Sequence, residues 1–276
     1  MNICIYASEL AIITGHNKYQ DVSEIILKLW KKNFPEDYAN TLKKVSKEFN
    51  TELKEETPDE YIDKVCQKHN ITQVSDHLST CLNATSTKEL KTTQKKILDK
   101  FEKLPETEKK LVKECITKKT NTNFGIKYEN TALVKYMELT GDKVKTVDKF
   151  FKKDLFKTKN NILWSIGGKI DGINKSHVLI EVKNRVKRLF YELRDYEKVQ
   201  LYAYMTILNI TEAKLVENLK NNTSCDINVI DVIYDKAYWE TEIETKLTRF
   251  IKYFEKLMAS ESKKKELITV LFSTNS

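Results

Sequence analysis

Between Gly15 and Gly125 the chain has no glycine, and apolar residues recur three and four positions apart among lysines and glutamates. That period places apolar side chains on one helical face, so residues 22–32, 59–68 and 87–104 are predicted to be helices that cover a core with one side. Only Pro35, Pro58 and Pro105 interrupt the run. After Asn123 the texture changes, and five of the six glycines fall between Gly125 and Gly172. Residues 162–173 mix β-branched and aromatic side chains with glycine, Asn174-Lys175-Ser176 reads as a polar turn, and residues 177–183 alternate. Together they predict two strands folded back on each other. A helix from about 195 to 208, a strand over 226–234 and a long helix over 236–258 complete the pattern. This order predicts a mixed α/β (α+β) fold. No glycine-, serine- or proline-rich linker forces a cut, so residues 1–276 are expected to form one domain, mostly helical over 1–118 and with its core over 119–276.

Composition changes this picture in two ways. A charged content of 32% and a formal charge of +8 favour a polyanionic partner, although a lysine-rich solvated surface explains the surplus equally well. Cys4, Cys66, Cys81, Cys115 and Cys225 are scattered, odd in number and free of C-x-x-C spacing. That argues for a reducing compartment and against a zinc site or an iron–sulfur cluster. No apolar stretch reaches spanning length, so a soluble intracellular protein with no membrane partner is expected. The four histidines show no ligand or triad spacing, no phosphate-binding glycine loop occurs, and Trp30, Trp164 and Trp239 are expected in the core or an interface rather than as base-stacking platforms.

Candidate chemistry concentrates around the predicted hairpin. Glutamate and lysine two apart recur through so charged a chain, at Glu52/Lys54, Glu108/Lys110, Glu212/Lys214, Glu244/Lys246 and Glu261/Lys263. Glu181/Lys183 differs in lying on the apolar strand Val178-Leu179-Ile180-Glu181-Val182-Lys183, whose period of two points both charges to one face. A buried strand tolerates such charges only with a partner or a metal. The turn at 174–176 brings Asp171 alongside; taken alone, Asp171-Gly172 is an ordinary turn. Gln200 and Tyr204 stand at i and i+4 of a helix whose face also holds Ala203 and Ile207, and a glutamine there needs a polar partner. Glu129 shares a face with Ala132, Leu133 and Tyr136. It is either a third metal-ligating acid or an acid stabilised at a helix start. Two carboxylates on adjoining strand ends suit a hard divalent cation, and a lysine beside them suits water activation for phosphodiester hydrolysis. Arg185-Val186-Lys187-Arg188, with Arg194 and Lys198 beyond, offers cations for backbone phosphates, or a solvated loop.

The ordered set Gly125-x3-Glu129, Asp171-x9-Glu181-x-Lys183 and Gln200-x3-Tyr204 resembles the PD-(D/E)xK nuclease superfamily, in its lambda exonuclease and YqaJ-like viral recombinase branch. Lys127-Tyr128-Glu129-Asn130 with Leu139-Thr140-Gly141 is similar to that branch's ligand helix, and Tyr6-Ala7-Ser8-Glu9-Leu10 to its T-A-S-E stretch. The resemblance implies a restriction-endonuclease-like core, a mixed central sheet flanked by helices. It also implies a metal-dependent exonuclease that degrades one strand of linear duplex DNA, 5′-to-3′, leaving single-stranded tails for viral or mobile-element recombination and repair. Glu129, Asp171, Glu181 and the Val182 carbonyl would hold Mg²⁺ or Mn²⁺, Lys183 would activate water and Gln200 would support it. Ser8, Arg185, Arg188 and Tyr204 would contact DNA or its end phosphate, although the arginine that precedes the family's T-A-S-E stretch has no counterpart here. Implied partners are DNA ends, a single-strand annealing protein and further copies of the chain. The alternatives are an endonuclease of the same superfamily and a catalytically silent DNA-binding recombination mediator.

Overall fold

The computed structural model describes residues 1–50, 53, 56–221 and 224–273; the Glu52/Lys54 pair lies outside them. The chain opens with strand β1 (Asn2–Tyr6) and the short helix α1 (Leu10–Ile13). Helices α2 (Val22–Asn33), α3 (Pro35–Glu48), α4 (Pro58–Lys68), α5 (Val74–Leu82), α6 (Thr87–Asp99), α7 (Glu106–Lys127) and α8 (Glu129–Thr140) follow. Strands β2 (Val144–Lys145), β3 (Phe150–Lys157), β4 (Leu163–Lys169), β5 (Gly172–Asn174) and β6 (Leu179–Arg185) lead to helix α9 (Asp195–Leu208). The chain then runs through β7 (Glu212–Lys220), β8 (Cys225–Ile233), α10 (Lys236–Tyr238), α11 (Thr245–Met258) and α12 (Glu261–Ser273). The predicted helices have recognisable causes at their starts. Asp21 caps α2 by accepting from the Ser23 N–H, and Thr57 and Glu60 cap α4 reciprocally with Pro58 in its first turn.

The fold is the expected mixed α/β type, but its sheet is in two pieces, in the orders β1-β4-β3 and β2-β5-β6-β7-β8. The β1–β4 and β6–β7 pairs are parallel and the remainder antiparallel. The single strand predicted over 162–173 is thus two strands in two sheets, with the break at Ile170-Asp171. Gly172, paired with Ile180 across the β5–β6 ladder, leaves no room for a side chain against Val144.

Three apolar clusters hold these pieces. The largest joins β1, β4 and α9 to α1–α3, α11 and α12, and includes the wholly buried Trp30 and Trp164. Helices α4–α7 bury a second cluster around Leu90, Ile97, Val112 and Ile116. A third sets Ala132, Leu133 and Tyr136 of α8 against Ile180 and Val182 of β6 and Val216 of β7. The division expected at residue 118 falls inside the continuous helix α7, and the first residues of the chain form a sheet strand. The long helix expected over 236–258 contains a π-type turn over 239–244. No described helix is long and apolar enough to cross a membrane.

Candidate active site

The site forms where the sheet splits. Asp171 occupies the bend between β4 and β5, and its Oδ2 accepts a 2.7 Å hydrogen bond from the Val182 N–H. A strand residue turns its N–H and C=O to the same edge, so the Val182 carbonyl also faces Asp171, beyond the end of the short β5 ladder. Glu181 and Lys183 share the other face of β6, as the alternation predicts, and Lys183 Nζ lies 2.8 Å from Glu181 Oε1. Gln200, reaching down from α9, accepts from Lys183 Nζ at 3.0 Å and donates to Glu181 Oε1 at 3.1 Å. Its amide is also 3.2 Å from the Tyr204 hydroxyl. Tyr204 can approach this closely because Gly168 lies beneath its ring; a Cβ there would stand 2.7 Å from Cε1.

The charges in this cluster do not balance. Burial pushes the Asp171 carboxyl up to about 6, with the Val182 N–H and Lys183 opposing the rise and Glu129 adding to it. Burial likewise raises Glu181 to about 7, reinforced by Asp171 and opposed by Lys183. Glu129, at the first turn of α8, is raised by burial and by Glu181, which puts it in the electrostatic reach of the same centre. Burial works against the Lys183 ammonium, but Glu181, Asp171 and Glu197 more than offset it and hold its pKa above lysine's ordinary value. Glu181 Oε2 is buried without a hydrogen-bond partner. Among the described residues no group of three His, Cys, Asp or Glu side chains is already closed round one point. The orphan oxygen, the buried Glu181 and half-buried Asp171 carboxyls with raised pKa values and an all-oxygen donor set nevertheless fit a hard divalent cation.

The expected phosphate contacts divide. Ser8 is exposed just beyond β1, at the sheet end where β1 runs parallel to β4. Arg188 is also exposed. Arg185 is a correction: only 8% exposed, it donates to Glu197 at 2.5 and 2.9 Å and to Glu217 at 2.8 Å. Its guanidinium is committed to tying β6 to α9 and β7. Tyr204, also buried, is placed against Gly168 and Gln200, so its hydroxyl serves the glutamine rather than a phosphate. Two lysines escaped the sequence reading. Lys28 pairs with buried Glu9 and stands 4.6 Å from the centre of the Tyr6 ring, while Lys32 donates to the Tyr6 hydroxyl at 3.1 Å. They put positive charge beside the Ser8 turn, and their i,i+4 spacing on α2 was the available signal.

A split mixed sheet that gathers carboxylates, a lysine and a helix-borne glutamine is consistent with the core expected from the PD-(D/E)xK resemblance. Residues 78–207 match the model of the YqaJ-like viral recombinase domain. That stretch is similar to this domain, and the expected resemblance to the lambda exonuclease and YqaJ branch of the PD-(D/E)xK superfamily is borne out. Glu129, Asp171, Glu181, Lys183, Gln200 and Tyr204 all lie inside the matched stretch. Similar solved structures include an alkaline exonuclease from Laribacter hongkongensis, at 15% identity and a TM-score of 0.37 over 66% of this chain and 88% of that one. A phage-related exonuclease from Haemophilus somnus 129PT is 14% identical, with a TM-score of 0.31 over 56% and 74%. No curated protein matches the chain significantly.

Proposed function

We propose that this protein is a Mg²⁺- or Mn²⁺-dependent deoxyribonuclease that degrades linear double-stranded DNA from an end, 5′-to-3′, leaving single-stranded tails for recombination and repair in a virus or mobile element. The observation that carries this reading is the under-neutralised acidic centre, above all the orphan Oε2 of Glu181. Glu129, Asp171, Glu181 and the Val182 carbonyl would hold the cation. When bound, it supplies Lewis-acid polarisation of a phosphoryl oxygen and offsets charge on the departing 3′ oxygen. Lys183, held charged by its carboxylate neighbours, acts as a donor: it orients the attacking water and stabilises the charge growing on the phosphate. Gln200 fixes the Lys183 ammonium and the Glu181 carboxylate relative to each other, and Tyr204 over Gly168 fixes Gln200. Ser8 and Arg188, with Lys28 and Lys32 nearby, receive the DNA end and its backbone. A single-strand annealing protein would take up the tail, and several copies of the chain would surround the duplex.

The test is digestion of linear duplexes with 5′-phosphate or 5′-hydroxyl ends, nicked circles and closed circles, with Mg²⁺, Mn²⁺ or chelator. Linear DNA with a 5′ phosphate is expected to disappear in either metal while closed circles survive. Efficient cutting of closed circles would overturn the exonuclease reading in favour of an endonuclease. Survival of linear DNA in both metals, with binding retained, would identify a silent DNA-binding protein.

A further inference from the structure

We propose that the loop joining β6 to α9, residues 186–194, is a stacking platform for single-stranded DNA, with Tyr191 contacting a base. Tyr191 is 71% exposed and has a φ of +60°, a left-handed conformation that non-glycine residues rarely adopt. A buried carboxylate holds it there. Glu217, wholly buried on β7, accepts the Tyr191 N–H at 2.9 Å and the Phe190 N–H at 3.1 and 3.2 Å. Asn228 donates to the same carboxylate at 2.9 Å, and Arg185 at 2.8 Å. The loop therefore presents a large aromatic side chain to solvent from a strained backbone fixed by a fully engaged carboxylate.

The surroundings carry the matching charge. The ring of Phe190, next in the chain, has the guanidinium carbons of Arg194, Arg185 and Arg188 at 4.3, 4.5 and 5.8 Å from its centre. Arg185 is consumed by Glu197 and Glu217 and Arg194 is paired with Glu192, whereas Lys187 and Arg188 are exposed. An exposed ring in a loop that also exposes Lys187 and Arg188 suits a nucleic-acid strand whose phosphates meet the cations and whose base meets the ring. The strand is single, because inside a duplex both faces of every base except the terminal ones are already covered by stacking. The loop begins three residues after Lys183 and leads into the helix that carries Gln200. A strand lying on it therefore borders the reaction centre, a placement that rests on the nuclease reading above.

The test is fluorescence anisotropy in chelator with a labelled oligo(dT) and an abasic oligonucleotide of equal length. Tyr191→Ala is expected to weaken oligo(dT) binding roughly five- to a hundredfold, Tyr191→Phe to bind as the wild type, and the abasic strand to be insensitive to both. Arg188→Ala is expected to lower the slope of log affinity against log salt by about 1 for both strands. Wild-type oligo(dT) affinity in Tyr191→Ala would overturn the platform, as would equal losses for the two oligonucleotides. Failure of the nuclease reading is distinct: linear DNA would survive in Mg²⁺ and Mn²⁺ while Tyr191-dependent oligo(dT) binding remained.

Discussion

Replacing Asp171 by asparagine is expected to stabilise the metal-free protein at alkaline pH while disabling it. The asparagine carbonyl can still accept the Val182 N–H that Asp171 Oδ2 receives at 2.7 Å, so the substitution removes charge and keeps the hydrogen bond. Burial raises the Asp171 carboxyl from 3.8 to about 6, a difference equivalent to about 3 kcal/mol. Because the folded value is the higher one, the folded state binds the proton more tightly. The stabilisation from that proton is complete below pH 3.8 and is lost as pH rises through about 6. At pH 8 the wild type therefore holds a buried charge that the variant lacks. In chelator at pH 8, Asp171→Asn is expected to gain up to about 3 kcal/mol in urea unfolding, or roughly 6–12 °C in Tm. The two proteins converge as pH falls towards 4. Adding Mg²⁺ should cancel most of that gain, because a cation at a hundred times its Kd would stabilise the wild type by about 2.7 kcal/mol and the variant lacks a proposed ligand. A variant no more stable than wild type at pH 8, or a gain that persists undiminished at pH 4, would refute the view of Asp171 as a buried charge awaiting a cation.

The remaining expectations bear on neighbouring parts of the same machinery. Lys183→Ala should lower the cleavage rate roughly 10²–10⁴-fold with duplex affinity in Ca²⁺ little changed; turnover near wild type would remove lysine from the chemistry. Arg185→Ala should cost about 3–5 kcal/mol in urea unfolding because two buried carboxylates lose their counterion, and a loss below about 1 kcal/mol would contradict its role as an internal strut. Gly168→Ala should displace the Tyr204 ring and with it Gln200, for about 1–3 kcal/mol of stability and a disproportionate loss of kcat, whereas unaltered kcat would show that Gln200 needs no such support.

The parts of the fold that sequence made legible were those whose patterns are local. The helices at 22–32 and 59–68 have clear caps and a 3.6-residue period, and the Glu181/Lys183 alternation puts both side chains on one face. The elements that escaped are defined by partners far away in the chain. Strand β1 is five residues long and acquires its identity from β4, more than 150 positions later. Strand β7 carries Glu217 and Asn218 at fully buried positions, and the partners that make them tolerable lie elsewhere in the chain: Arg185, Phe190 and Tyr191 for Glu217 and Asn184 for Asn218. The break at Ile170-Asp171 was hidden for a related reason. Its apolar flanks are continuous in sequence, and only the separate pairing of β4 and β5 shows that they serve different sheets.

Arg185 shows why charge type and spacing alone cannot assign a role. Two buried ionic clusters lie within a few residues of each other on β6, and each sets one cation against at least two carboxylates. Around Arg185, both Glu197 oxygens accept guanidinium hydrogens, and Glu217 accepts from Arg185, Phe190, Tyr191 and Asn228. Burial alone would raise the Glu217 carboxyl, but these donors outweigh it and hold its pKa below the ordinary value. Around Lys183 the same kinds of residue leave Glu181 Oε2 without a donor, and both Asp171 and Glu181 are raised. The first cluster leaves no buried carboxylate oxygen without a donor and holds elements together. The second is stable as it stands only because the rest of the fold tolerates it, and a cation would relieve what no side chain there does. Hydrogen-bond saturation, not charge, separates the strut from the proposed reaction centre.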